Sequence, residues 1–259
     1  MEKDVLSLDD LRKELGNEPI ALRVFDCVDS TNEEAKRMAI DGERRTVLIA
    51  AAQQTRGRGR LGRSFYSPAS TGIYFSVLHT VDRPLQSAVS LTGAAAVAVM
   101  RAIRTKTGKD PSIKWVNDLY LDGKKVCGIL AEALSGLEEG RRHLILGIGI
   151  NLRTDEFPME LSDKAGSVYG IYATRAALIA EIYRELKPFL QDSENRTWIE
   201  DYRAHSAVLG KRIVWTEGEH SREGRAVGIN DFGELEVETD QNERLVLRTG
   251  EISVCVQDS

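Results

Sequence analysis

The sequence predicts an α+β protein: a mixed or antiparallel sheet flanked by helices, followed by a small β-module. Three observations carry this. Strand-length apolar runs alternate with helix-period segments through most of the chain. The links between several later runs are short turn signals, Asn117-Asp118, Asp122-Gly123 and Glu139-Gly140, too short for parallel crossovers. From Leu209 onward every run is strand-like, which reads as a small barrel. The expected division is residues 1–207 for a large domain and 208–259 for the β-module.

Each element has a local reason. Ser7 caps a helix to Leu15, and Gly16 stops it. Ala21–Val28 reads as a strand. Ser30-Thr31-Asn32-Glu33 has the form of a capping box, with Ala35, Met38 and Ala39 as the buried stripe and Gly42 as the stop. Thr46–Ala52 is continuously apolar, as a strand buried on both faces should be. A strand at Gly72–His79 precedes the longest helix, Gln86–Thr107, which Gly108 ends. Strands follow at Ser112–Val116, Leu119–Leu121, Lys125–Leu134 and His143–Leu152. Arg153–Ala173 lacks periodicity and reads as a long loop of the kind that closes over a ligand. Helices return at Thr174–Leu190 and Arg196–His205. The module's strands are Ile213–Thr216, Gly224–Ile229, Gly233–Thr239, Glu243–Leu247 and Ile252–Val256.

Composition narrows the function. The chain has 259 residues, a net charge of −5 and 42% hydrophobic residues, which excludes a disordered chain. No apolar run spans a bilayer, and Met1-Glu2-Lys3-Asp4 is not a signal peptide, so no membrane role and a cytoplasmic location are expected. Cys27, Cys127 and Cys255 are far apart in apolar runs and read as buried thiols in a reducing compartment. His79, His143, His205 and His220 show no ligand spacing. The acidic balance argues against a surface that grips nucleic acid throughout.

Against this background, Arg44–Val81 contains no Asp or Glu but holds Arg44, Arg45, Arg56, Arg58, Arg60 and Arg63. An acidic protein that concentrates positive charge in one place points to an anionic ligand. Gly57-Arg58-Gly59-Arg60-Leu61-Gly62 matches a dinucleotide fingerprint, but Arg63-Ser64-Phe65-Tyr66-Ser67-Pro68 cannot open the required helix. With Asp231-Phe232-Gly233 it imitates kinase signatures, yet no catalytic loop exists and only 26 residues follow Gly233. Asp231-Phe232-Gly233 reads instead as a hairpin turn. No P-loop is present.

Three segments belong together. Gln53–Arg63 alternates glycines with forked arginine donors, a mobile cationic strap. Lys114–Glu132 is a hairpin with an embedded lysine, Lys125, placed to hold an anion. Gly147-Ile148-Gly149-Ile150-Asn151 puts two glycines in a strand, which suits close approach to its backbone, and Asn151 suits a purine edge.

With Ser30-Thr31-Asn32, these segments resemble the biotin protein ligase family: G-R-G-R-x-G-R, K-W-x-N-D-L-Y with a lysine after it, then G-x-G-x-N. The resemblance runs from about Val24 to the C-terminus; Val116 stands where the family commonly has proline. It implies a catalytic domain like that of class II aminoacyl-tRNA synthetases, an SH3-like C-terminal barrel, and a form without the DNA-binding domain of the repressor members. Biotin and ATP with Mg²⁺ would give biotinyl-5′-AMP and pyrophosphate, and a lysine of a biotin carboxyl carrier protein would take the biotinyl group. By matching position, Ser30, Thr31, Asn32 and Gln54 should hold the ureido ring. Arg58, Gly59 and Arg60 should cover biotin and the adenylate, and Lys125 should bind carboxylate and phosphate. Arg63, Phe65 and Asn151 should meet the nucleotide, and Asn117 and Asp118 the triphosphate and its Mg²⁺. Lys125, Arg58 and Arg60 are the expected catalytic groups. A homodimer is plausible from open sheet edges, and no DNA partner is expected. The rivals are a lipoate ligase, disfavoured because no Gly-Gly-Gly occurs, and an Arg/Gly nucleic-acid binder.

Overall fold

The computed structural model describes residues 4–81, 88–137, 142–169, 174–217, 220–248 and 252–254. A seven-stranded mixed sheet has the order β1-β2-β3-β7-β6-β5-β4. Its strands are β1 (Ala21–Phe25), β2 (Val47–Ala51), β3 (Ile73–Val81), β4 (Ser112–Lys114), β5 (Asp118–Leu121), β6 (Lys124–Ser135) and β7 (Arg142–Ile150). Among the described strand pairs of this sheet, β1–β2 is the parallel one, and helix α2 (Thr31–Ile40) joins its strands. The other neighbours are antiparallel, as short connections require.

Helices cover both faces. Alternate residues of β2 divide between two cores. Leu48 and Ala50 face the large one, which includes α3 (Ala88–Thr107), α4 (Arg175–Gln191) and α1 (Leu8–Leu15). Val47 and Ile49 face a smaller one beneath α2, with Ala35, Ala39, Leu78 and Ile145. That division is why Thr46–Ala52 reads as unbroken hydrophobicity. Ser7 caps α1 through a bond from the Asp10 N–H, and Gly16 ends it with φ of 63°. The predicted capping box does not form at α2. Ser30 is extended at the N-cap without a side-chain cap bond, and Glu33 turns to Lys36 and Arg58. Met38 is only half-buried.

The C-terminal unit is a five-stranded antiparallel sheet, β11-β10-β9-β8-β12, preceded by α5 (Ile199–Ala204). Its strands are β8 (Arg212–Glu217), β9 (His220–Ile229), β10 (Leu235–Glu238), β11 (Arg244–Leu247) and β12 (Ile252–Val254). Asp231-Phe232-Gly233 is the turn of the β9–β10 hairpin, with Gly233 at φ 80°. The turn docks on the larger unit. Trp115 Nε1–H donates to Gly233 O at 2.9 Å, and Ser90 Oγ donates to Phe232 O at 2.8 Å. Buried Trp198 packs beneath Gly233 and edge-on to Tyr202, whose hydroxyl donates to Val116 O.

Some predicted boundaries shift. Residues 115–117 form a turn with a cis Trp115–Val116 peptide, so the strand expected to reach Val116 stops at Lys114. Over 153–169 the long loop is irregular, touching β6 through a Lys125–Ala165 bridge. The Glu139-Gly140 turn, Cys255 and residues 170–173 of the loop lie outside the described residues.

Candidate active site

The site is built on the sheet face beneath the N-terminus of α2. Its floor follows from strand alternation and register. Ser76 pairs with Gly147, and Gly147 with Leu130; Tyr74 pairs with Gly149, and Gly149 with Gly128. The glycines let other side chains lie on the sheet. A Cβ on Gly147 would fall 2.1 Å from Asn32 Oδ1, and one on Gly149 would fall 2.6 Å from the Phe65 ring. The two glycines therefore make room for residues of the site itself.

A bulge turns Lys125 into this face. Tyr120 pairs with Lys125 and Leu119 with Cys127, which leaves Val126 over as the extra residue. Without it, simple alternation would put Lys125 with Cys127, facing the core. With it, Lys125 shares a face with Asp118 and Gly128. Its Nζ lies 2.6 Å from Asp118 Oδ1. Burial pushes the Cys127 thiol well above its ordinary range, so behind the lysine sits a neutral, apolar group.

These elements enclose a cleft of about 730 Å³, open to solvent. It is lined by Ser30, Thr31, Asn32, Gln54, Arg58, Gly59, Arg60, Arg63, Phe65, Asn117, Asp118 and Lys125. All the expected site residues except Asn151 therefore meet in one place.

Around Thr31 and Asn32 the cleft is bordered by a network of hydrogen-bonding side chains. Gln54 Oε1 accepts from the Thr31 N–H at 2.8 Å, and Gln54 Nε2 donates to Ser67 Oγ at 3.0 Å. Ser76 Oγ lies 2.7 Å from Thr31 Oγ1 and 2.6 Å from Asn32 Oδ1. Asn32 Nδ2 donates to Glu132 at 2.8 Å. Burial disfavours the charged form of Glu132. Bonds from Lys36 and Asn32, with the charges of Lys36 and Arg58, outweigh this and hold its carboxyl below the usual range.

The strap forms one wall of the cleft. It runs from Arg56 to Arg63 and contains a single 3-10 turn at Arg60–Gly62. Arg58 pairs with Glu33 and, at 3.4 Å, with Glu132. Arg60 donates to Asn117 Oδ1 at 3.0 Å, while Asn117 Nδ2 donates to Ile129 O. Two further cavities adjoin. One shares Ser64, Phe65 and Lys125 with the cleft and adds Tyr66, Asn151 and Phe157. Buried Asn151 faces this space and donates to Gly166 O at 3.1 Å. The other cavity shares Arg60 and Ile129 with the cleft.

Sequence reasoning missed Ser76 and Glu132. Glu132 left a signal, a carboxylate two residues beyond Leu130 on a strand whose alternate positions face the cleft. Ser76 left none, because a serine within an apolar strand has no unique reading. Asn117 is engaged by Arg60 and the Ile129 backbone, whereas buried Asp118 Oδ1 lies 2.6 Å from Lys125 Nζ without a hydrogen bond. Among the described residues no group of three or more His, Cys, Asp or Glu side chains converges. Asn117 and Asp118 would hold Mg²⁺ only together with nucleotide phosphate oxygens, where the ion would offset phosphate charge.

Comparison with known proteins agrees with this arrangement. The family model for the biotin/lipoate A/B protein ligase family matches residues 24–151. That for the biotin protein ligase C-terminal domain matches residues 208–254. The bifunctional ligase/repressor BirA of Bacillus spizizenii is 36% identical over 234 residues, 83% of this chain and 69% of the relative. A biotin–[acetyl-CoA-carboxylase] ligase of Paracoccus denitrificans is 39% identical over 222 residues, 80% of this chain and 90% of the relative. The structure of biotin protein ligase from Aquifex aeolicus in complex with biotin and ATP superimposes with a TM-score of 0.76 at 28% identity. It covers 91% of this chain and 98% of that one. By sequence, by fold and by the residues gathered in the cleft, the chain belongs to the biotin protein ligase family.

Proposed function

We propose that the cleft carries both halves of an ATP-dependent biotinylation. The observation that carries this reading is the position of Lys125. It lies where the cleft meets the Asn151 cavity, beside Asp118 and near the Arg60–Asn117 pair. The ureido ring sits against Ser30, Thr31, Asn32, Gln54 and Ser76. A cyclic urea has two N–H donors and a carbonyl acceptor, which this mixed set satisfies. A lipoyl dithiolane would leave the same groups unpaired, at about 1–3 kcal/mol each, so biotin is favoured. Adenine occupies the Phe65, Tyr66 and Asn151 cavity.

In the first step a biotin carboxylate oxygen bonds to the α-phosphorus of ATP. The bridging oxygen to the β-phosphorus departs with its electron pair as pyrophosphate. The nucleophile is already ionised, so no base is needed. The barrier is the approach of two anions, and Lys125, Arg58 and Arg60 lower it by position and charge. In the second step the amine of a carrier lysine bonds to the acyl carbon, AMP leaves with the bonding pair, and the amine loses its proton to water.

The acceptor is the lysine of a biotin carboxyl carrier protein, and the reaction runs in the cytoplasm. Engagement of Arg58 and Arg60 by Glu33, Glu132 and Asn117 supports a small-anion role for the strap over nucleic-acid binding. Strand β1, which lies at one end of the sheet, is the edge through which a second copy could pair. The test is incubation with biotin, ATP, Mg²⁺ and a carrier domain, followed by mass measurement. One added biotinyl group supports the reading; an adduct with lipoate and none with biotin overturns it.

A further inference from the structure

The cavity beyond Arg60 has a composition that biotin and adenine do not explain. Its volume is about 570 Å³, open to solvent. Arg60 of the strap borders it, and so does Arg248, which follows β11 of the C-terminal unit. Thr92 and the apolar side chains Val89, Val116, Ile129 and Ala131 line the rest. Its described lining therefore carries two guanidinium groups and no carboxylate. Arg248 is exposed and reaches half-buried Glu234 through Nε at 3.3 Å.

We propose that Arg248 is a phosphate-binding residue: with Arg60 it holds the β- and γ-phosphates of the nucleotide and then the pyrophosphate they become. This rests on the ATP-dependent reading above and adds a residue from the C-terminal unit to the nucleotide site. The order of the cavities supports it. The purine chamber and the Arg248 chamber each adjoin the cleft, one through Ser64, Phe65 and Lys125, the other through Arg60 and Ile129. With adenine in the first and the α-phosphate at Lys125, the remaining two phosphates must leave that junction in a direction that carries positive charge. Arg60 and Arg248 supply that charge in the adjoining cavity. Arginine suits this task, since its planar fork meets two phosphate oxygens at once and stays charged at every working pH. The docked Asp231–Gly233 turn fixes the C-terminal unit against Trp115, two residues before Asn117, which Arg60 contacts.

The test compares wild type with Arg248→Gln and Arg248→Lys. Three readouts are the KM for ATP in biotin-dependent pyrophosphate exchange, product inhibition by added pyrophosphate, and transfer from preformed biotinyl-5′-AMP to a carrier domain. Arg248→Gln is expected to raise the KM for ATP and weaken pyrophosphate inhibition by about tenfold each. Biotin binding and transfer from the preformed adenylate should stay at wild-type levels, and Arg248→Lys should recover part of the loss. Unchanged ATP and pyrophosphate responses in Arg248→Gln overturn the proposal. So does a parallel fall in biotin binding and transfer, which would mark a structural role. Failure of wild type itself to exchange pyrophosphate with biotin would instead overturn the parent reading.

Discussion

The 2.6 Å contact between Lys125 and Asp118 means that an incoming anion must compete with a carboxylate for the amine. Lys125→Ala is therefore expected to cut biotin-dependent pyrophosphate exchange by about a hundredfold or more, with an unchanged far-ultraviolet spectrum. A wild-type exchange rate in that variant would remove Lys125 from the chemistry. The floor glycines make a sharper pair. Gly147→Ala drives a methyl toward Asn32 and should weaken biotin binding, while Gly149→Ala drives one toward Phe65 and should raise the KM for ATP. Each overpacking costs about 1–3 kcal/mol, so titration calorimetry with biotin and exchange kinetics with ATP can separate them. Equal effects of both changes on both ligands would mean that the floor is not divided in this way. At this scale much of the site was legible, because arginines, glycines and an embedded lysine stand out against an acidic, apolar chain. Ser76 was not, since its role arises only from its register against Gly147.

Two elements place chemistry through backbone geometry. The β6 bulge is one, and no pattern of residue types announces it: Lys125 and Gly128 are three apart, which alternation assigns to opposite faces. The start of α2 is the other. The sequence there suggested a capping box, but Thr31 and Asn32 are drawn into tertiary bonds with Gln54, Ser76 and Glu132. Asp29, just before the helix, is held down to about 2, chiefly by the side-chain bond from Arg37 and also by the Ser30 N–H, against the opposing effect of burial. An acid lowered in the folded state contributes stability that is complete above its ordinary value of 3.8 and lost as pH falls through about 2. Thermal unfolding between pH 5 and pH 2 should therefore show a loss that Asp29→Asn reduces. An identical pH profile in the variant would show that this carboxylate plays no part.

At the scale of the whole molecule, the sequence showed an α+β unit and a β-module but not how they join. The junction is made by the turn that resembles a kinase motif, and its partners Trp115 and Trp198 are far from it in the chain. Trp198→Ala should cost about 3–5 kcal/mol and lower the denaturant midpoint of both units together. Trp115→Phe, which keeps the ring but loses the bond to Gly233 O, should cost about 1 kcal/mol. Two separate unfolding transitions in wild type would contradict this coupling. The connected cavities carry one more consequence. A cleft that adjoins two separate cavities can release a small inorganic product by one side while the activated acid stays held by the other groups, in place for the acceptor amine.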